Sequence, residues 1–196
     1  MSQSEDLRKS LTELLDDGLG RGARRLSRIA ETQWRVDRLA RGDEIPAQLQ
    51  RLGAQEEAAH YRAYCRMPGA AFLALFSKSS GLALARDMLF SATGRPTTSA
   101  ALERGAVAEV ANILINIVAG TLADEIDMPA IISAPELIDE APTNLLSEAS
   151  RKIDAGGRLP VMAAVELRWP SLEASCTLLL FFSYDWKELL VARTAV

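Results

Sequence analysis

Three polar side chains, Glu109, Asn112 and Asn116, interrupt one of the most apolar stretches of the chain, residues 106–123. They are separated by three and four positions, so on a helix they form one stripe on one face. A carboxylate contributes a negative charge and hydrogen-bond acceptors, whereas a carboxamide both donates and accepts. The stripe therefore offers hydrogen-bonding and charge chemistry, and it contains no thiol or hydroxyl that could act as a nucleophile.

The setting of this stripe leaves two interpretations. A buried carboxylate or amide without partners is costly, so these groups must be hydrogen-bonded, solvated or in contact with a partner. A solvated outer face is common on helices. However, a solvated face usually carries Lys, Arg and several charges, whereas Glu109 and the two asparagines lie among small and apolar residues. This sparse pattern favours a partner surface or an active site.

Other chemistries have little support. Cys65 and Cys176 are far apart and lack the C-x-x-C spacing, so neither a disulfide framework nor a zinc site is indicated. His60 is the only histidine, which argues against a metal site or a catalytic triad. The glycines of residues 18–22 do not have the G-x-G-x-x-G spacing and follow a helix rather than a strand, so nucleotide binding is not expected.

Length and composition indicate an ordinary globular protein. With 196 residues, 48% of them hydrophobic, the chain can form one domain or two fused halves. The net charge of −4 argues against a general nucleic-acid binder. The first ten residues are polar, which is not typical of a signal peptide, and the polar stripe of residues 106–123 argues against a membrane span. These features predict a cytoplasmic protein that binds neither nucleic acid nor membrane.

The spacing of apolar residues predicts an alternation of helices and strands, with residues 47–67 left between the two. The turn-forming residues 93–98 break the chain near its middle. The predicted helices are residues 5–40, 81–90, 102–124, 142–152 and 185–192, and the predicted strands are residues 70–76, 128–137, 160–168 and 175–182.

The two halves, about residues 5–95 and 100–196, have a similar order of elements, which favours an internal duplication within a single domain of residues 1–196. Glu13-Leu-Leu-Asp16 aligns with Glu109-Val-Ala-Asn112 at an offset of 96 residues (109 − 13). An apolar run near the end of each half, FLALF and LLLFF, is also similar.

Residues 109–123 (EVANILINIVAGTLA) resemble the E-x-x-N helix of the CheC, CheX and FliY phosphatases. Residues 13–27 (ELLDDGLGRGARRLS) resemble the first copy of that helix in CheC, which has the pattern E-x-x-N-x-G-x-G followed by Leu-Ser. Each element of the pattern is in frame except the asparagine, which is Asp16 here. The resemblance covers both motif helices and most of the length.

This resemblance implies an α/β (α+β) fold with pseudo-two-fold symmetry, in which an antiparallel sheet carries two long motif helices on one face. It also implies a phosphatase that hydrolyses the aspartyl phosphate of a CheY-like response regulator, in chemotaxis or another two-component pathway. The regulator would bring a divalent ion and a lysine of its own, so no cofactor or metal site is expected in this chain. An activator protein is left open as a second partner.

The resemblance also assigns roles to the stripe. Asn112 would hold a water that faces the phosphorus, and Glu109 would reach the lysine of the regulator. Asn116, one turn further on, would support only the edge of the contact. The copy at Glu13 and Asp16 is expected to be degenerate, because an ionised aspartate cannot donate a hydrogen bond and repels a phosphoryl group.

Arg21, Arg24, Arg25 and Arg28 form a basic cluster at helical spacing. It can be a solvated face, or it can dock the acidic surface of a receiver domain. A rival function for the whole chain is a non-catalytic binding module for a response regulator or a flagellar-switch-like partner.

Overall fold

A computed structural model gives the three-dimensional structure of the chain. It describes residues 61–96, 99–125, 127–138 and 161–183, together with the backbone of residues 33–41. Single positions are also described at residues 13, 44, 47, 50, 51, 185, 186 and 188, and all of these are helical.

Six antiparallel strands form one sheet in the described part of the chain, in the order β1-β5-β6-β3-β2-β4. Two tight connections join neighbouring strands. Gly69, with φ +75°, turns the chain between β2 and β3, and Glu173, with φ +50°, ends a single 3-10 turn between β5 and β6. The strands are β1 (Gln33–Arg41), β2 (Tyr61–Met67), β3 (Ala70–Phe76), β4 (Glu136–Ile138), β5 (Val161–Trp169) and β6 (Ala174–Phe182).

The strand order has an internal symmetry. When β1, β2 and β3 are exchanged with β4, β5 and β6, the order reads the same from the opposite edge of the sheet. The central pair is β3 with β6, where Leu73 is opposite Leu179. Each half places its first strand beside the hairpin of the other half, since β1 pairs with β5 and β4 pairs with β2. A duplicated chain would have this order, although the duplication itself stays a prediction.

Two helices, α1 (Lys78–Thr93) and α2 (Ala100–Glu125), pack on one face of the sheet. The Ser77 hydroxyl caps α1 by accepting a hydrogen bond from the Ser80 backbone N–H at 3.1 Å. Gly94, in the left-handed conformation with φ +67°, ends α1. The chain then turns back, so α2 lies against α1 and both bury their apolar sides on the sheet.

An ion pair joins the two helices. Arg86 Nε of α1 lies 2.6 Å from Glu103 Oε1 in the first turn of α2. Glu103 is buried, and the positive end of the α2 dipole also favours a carboxylate there. The pair therefore fixes the beginning of α2 relative to α1.

The central strands β3, β5 and β6 are largely buried on both faces of the sheet. Alternate residues such as Phe72 and Phe182 lie in the core with the helices, and Leu73 and Phe181 on the other face are also inaccessible to solvent. Burial on both sides explains why residues 70–76 form an uninterrupted apolar run instead of alternating.

The length and composition of α2 would also allow it to cross a membrane. Residues 100–124 are long enough and apolar enough to span a bilayer, but more than half of their most apolar window is buried inside the protein. Packing against the sheet therefore accounts for its apolar composition.

The predicted α+β class with an antiparallel sheet is confirmed, as are the strands at residues 70–76, 160–168 and 175–182 and the helices at 81–90 and 102–124. The predicted helix 5–40 is wrong at its C-terminal end, because residues 33–41 form β1. Pairing with β5 outweighs helix propensity there, and the alternation of Trp34 and Val36 with polar residues was the overlooked signal. The predicted strand at 128–137 is a strand only at residues 136–138.

Candidate functional site

Local sequence fixes both ends of α2. At its beginning, the Glu103 backbone N–H donates to the Ser99 carbonyl at 2.9 Å. At its end, Asp127 has a left-handed backbone, with φ +59°, and the Met128 N–H donates to the Ala123 carbonyl at 2.9 Å. This six-to-one bond satisfies a terminal carbonyl of the helix, as in the Schellman motif, and Pro129 follows.

The buried side of α2 fixes its rotation about the helix axis. Pairs of buried residues recur every four positions along five turns, which produces a wide apolar stripe against the sheet. Because that stripe cannot turn to solvent without losing the core, the side chains on the opposite side must face outward. The buried residues are Ala106, Val107, Val110, Ala111, Leu114, Ile115, Val118, Ala119, Leu122 and Ala123.

The opposite side of α2 carries the three polar residues of the sequence pattern. Glu109 and Asn116 are exposed, and Asn112 is half-buried between them. The helix brings the three side chains to one accessible face, as their spacing predicts. We call Glu109, Asn112 and Asn116 the polar stripe; the roles assigned to them stay predictions.

The two asparagines are hydrogen-bonded to each other. Asn116 Nδ2 donates to Asn112 Oδ1 at 2.7 Å and to the Asn112 backbone carbonyl, also at 2.7 Å. The family resemblance implies for Asn116 only a place at the edge of a partner contact, and it does not predict this bond. The signal was present in the spacing, because side chains four residues apart on a helix are neighbours.

The polar stripe can position a ligand through charge and hydrogen bonds, and it contains no thiol or hydroxyl. Its groups are a charged carboxylate and two carboxamides. Both thiols of the chain are free and buried in the core, away from this face. Burial raises the pKa of Cys65 to about 12, with the negative charge of Glu136 adding to the effect, and burial also raises the pKa of Cys176. Neither thiol supplies a thiolate at neutral pH.

Metal ligands are not clustered in the described part of the chain. Among those residues there is no group of three or more His, Cys, Asp or Glu side chains that could hold a metal ion. The polar stripe contributes only one carboxylate, so the described residues of this face offer hydrogen bonds and charge as their chemistry.

The solved structure of Thermotoga maritima FliY matches 96% of this chain over 96% of its own, with a TM-score of 0.62 and 13% identity. This chain has the FliY fold. The FliM middle domain from H. pylori matches 96% of this chain over 98% of its own, with a TM-score of 0.59 and 9% identity. FliM in a FliG–FliM complex from H. pylori also aligns with 96% of this chain and over 98% of its own length, with a TM-score of 0.56 and 10% identity.

No family model matches the sequence, and no curated protein matches it significantly. The FliY fold is nevertheless the one implied by the resemblance to the CheC, CheX and FliY phosphatases, so that expectation is confirmed at the level of fold. A shared fold does not establish a shared activity, because function is carried by the site.

Two glycines flank the polar stripe in this FliY-fold helix. A Cβ atom added at Gly105 or at Gly120 would meet no atom within 4 Å beyond its chain neighbours and the adjacent backbone of its own helix. Alanine is the better helix former by ~0.5–1 kcal/mol. We therefore expect Gly120→Ala to raise the free energy of unfolding by about that amount, measured by urea denaturation. Gly105→Ala serves as the matched second case, and a loss of stability in both variants would contradict the open space around these positions.

The second motif copy is described at one position only. Glu13 is helical and exposed. Asp16, Arg21, Arg24 and Arg28 lie outside the described residues, so the degenerate site and the basic cluster stay predictions.

Proposed function

We propose that the chain is a cytoplasmic phosphatase that hydrolyses the aspartyl phosphate of a CheY-like response regulator, in chemotaxis or another two-component pathway. One observation carries the proposal. Asn112 is half-buried on an accessible helix face, its carboxamide is held by Asn116, and the exposed carboxylate of Glu109 lies one turn away. This arrangement suits a reaction that needs a positioned water and an anchor, with no covalent help from the enzyme.

In the proposed reaction, a water held by Asn112 attacks phosphorus. The water oxygen forms a bond to phosphorus while the bond between phosphorus and the aspartate oxygen breaks. The electron pair of the broken bond stays on the aspartate as its carboxylate, and both water protons remain on the inorganic phosphate that leaves. The divalent ion and the lysine of the regulator balance the phosphoryl charge, and Glu109 pairs with that lysine.

The rate acceleration required of Asn112 is within the range that positioning alone can supply. Placing a water in line with the breaking bond replaces a chance encounter with a favoured geometry, and a small misplacement of such a group can cost about 100-fold in rate. A single carboxamide can hold the water because it both donates and accepts hydrogen bonds. No further group on the polar stripe has to change its protonation state.

The proposal is tested with a purified CheY-type receiver domain phosphorylated by radiolabelled acetyl phosphate. After removal of the phosphate donor, the protein is added at about one tenth of the receiver concentration. We expect the label to leave the receiver faster than it does without the protein, in proportion to the amount added. An unchanged decay at equimolar protein would contradict the proposal.

A charge pair with the regulator predicts a binding defect at Glu109. Because Glu109 is exposed before docking, its pair contributes mainly once the partner excludes water. We expect Glu109→Gln to weaken binding of the phosphorylated receiver about tenfold, equivalent to ~1.4 kcal/mol, with little change in kcat. The matched control is Asp124→Asn, which removes an exposed carboxylate from the same helix. Equal effects of the two substitutions on KM would show a general charge effect instead.

The rival function is a binding module. It is favoured by the likeness to a FliM middle domain and to FliM solved in a complex with FliG. In that case the polar stripe would be a recognition edge for a regulator or a flagellar-switch-like partner. The decay measurement separates the two, because a module that only binds would leave the phospho-receiver lifetime unchanged or lengthen it.

The proposal extends to the first motif copy and its surroundings. Glu13 and Asp16 would form a degenerate or much weaker second site, and Arg21, Arg24 and Arg28 would dock the acidic surface of the receiver. An activator protein is an open second partner.

A further inference from the structure

We infer that Asn116 is a positioning residue that fixes the orientation of the Asn112 carboxamide and so decides which of its two ends meets a partner. The hydrogen bond between the two residues lies within the chain and needs no partner protein. Its consequence for catalysis rests on the proposed phosphatase function.

The geometry gives the carboxamide of Asn112 a preferred orientation. Asn116 Nδ2 lies 2.7 Å from Asn112 Oδ1 and 2.7 Å from the backbone carbonyl of the same residue. Rotating the Asn112 carboxamide by half a turn would bring its NH2 group against the NH2 group of Asn116. Two donors facing each other form no hydrogen bond, so the orientation with Oδ1 toward Asn116 is favoured.

This orientation assigns a role to each end of the amide. Asn112 Nδ2 has no acceptor within the described part of the chain, so it can donate to a phosphoryl oxygen. Asn112 Oδ1 has two lone pairs, of which Asn116 takes one, and the other can accept a hydrogen bond from the attacking water. Without the Asn116 donor, the amide could turn and exchange its donor and acceptor ends.

Asn116 is not needed for the fold. Its side chain is exposed, on the opposite side of α2 from the core residues Leu114 and Val118. Asparagine is also a weaker helix former than alanine. Removing its side chain should therefore leave the helix intact, so any effect on the reaction reflects the bond to Asn112.

The inference is tested with Asn112→Ala, Asn116→Ala and the double variant, assayed on the radiolabelled phospho-receiver. If Asn116 acts through Asn112, Asn116→Ala lowers kcat about tenfold with KM unchanged, by analogy with the loss seen when residues that orient metal ligands are removed. In the Asn112→Ala background it has less than about a twofold effect, because the group it orients is gone. Asp124→Ala, on the same helix, controls for loss of an exposed polar side chain.

Two outcomes of the kinetic assay would overturn the inference. An equal loss of kcat in both backgrounds would make Asn116 an independent contact. A change confined to KM would make it an edge of the docking surface. Asn116→Asp is a second test, because aspartate has the same shape as asparagine. Its ionised carboxylate cannot donate a hydrogen bond and would attract Asn112 Nδ2. We expect it to lower kcat at least as far as Asn116→Ala does.

A readout without the receiver keeps this inference separate from the proposed function. In nitrogen–proton correlation spectra of the protein alone, Asn116→Ala should shift the side-chain amide resonances of Asn112, whereas Asp124→Ala should not. If wild-type protein fails to dephosphorylate the receiver, the proposed function fails, and the spectra still decide on the bond. Unmoved Asn112 resonances would overturn the inference whatever the activity.

Discussion

Asn112→Ala should lower kcat for dephosphorylation of the receiver by about 100-fold or more, while the protein stays folded. The Asn112 carboxamide can hold a water and donate to a phosphoryl oxygen together, and the bond from Asn116 holds it in place. Without it the attacking water is no longer favoured in line with the breaking bond, and losses of positioning cost about this much. The measurement is the rate at which the label is lost from the receiver, at concentrations of phosphorylated receiver that saturate the protein.

The stability of Asn112→Ala separates a catalytic defect from an unfolding defect. Asn112 is only half-buried, and alanine is the better helix former, so the midpoint of thermal unfolding should be unchanged or slightly higher. Asn112→Asp is a stricter probe of the amide, since it keeps the size but loses the donor when ionised. Dephosphorylation at the wild-type rate in both variants would mean that Asn112 is not the working residue.

A substitution on the buried side of α2 should lower the stability of the protein and leave catalysis unchanged. Leu114→Ala removes a side chain that is 1% exposed, packed between α2 and the sheet. Such truncations lose the transfer free energy of the removed atoms and leave a cavity, which together cost about 2–5 kcal/mol. We expect the midpoint of thermal unfolding to fall by roughly 4–20 °C, from a shift of about 2–4 °C per kcal/mol in chains of this size.

Leu102→Ala is the matched control for that experiment. It makes the same truncation on the same helix, but Leu102 is 56% exposed and has little packing to lose. Its unfolding midpoint should change by no more than about 2 °C. Below its own unfolding transition, folded Leu114→Ala should retain the wild-type kcat, because the polar stripe is unaltered. Equal destabilisation by the two substitutions would contradict the orientation of α2.

Much of the fold was predictable from local patterns. The run AAFLALF and the long helix around Glu109 are strong signals, because a fully apolar strand and a helix apolar on most sides both belong in an interior. Residues 33–41 were not predictable in the same way. The alternation of Trp34 and Val36 with polar residues is only a weak strand signal. The pairing that decides the strand is with residues 161–168, more than a hundred positions away, and no local pattern reports which strand is the partner.

The candidate site was partly predictable. Helical spacing is sufficient to place Glu109, Asn112 and Asn116 on one face, and the structure has them there. The bond from Asn116 to Asn112 was missed, because spacing shows which residues are neighbours but not which donor faces which acceptor. The accessibility of the face was also open in the sequence, since it depends on which side of α2 the sheet covers.

The most direct test of the central claim counts phosphate. The protein is mixed with a large excess of receiver domain and radiolabelled acetyl phosphate, so that the receiver is continually rephosphorylated. The proposed function predicts that each molecule of wild-type protein causes the release of many equivalents of inorganic phosphate beyond the receiver-only rate, and that Asn112→Ala causes almost none. Release at the receiver-only rate, with the protein nevertheless bound to the phosphorylated receiver, would contradict the phosphatase and establish a binding module.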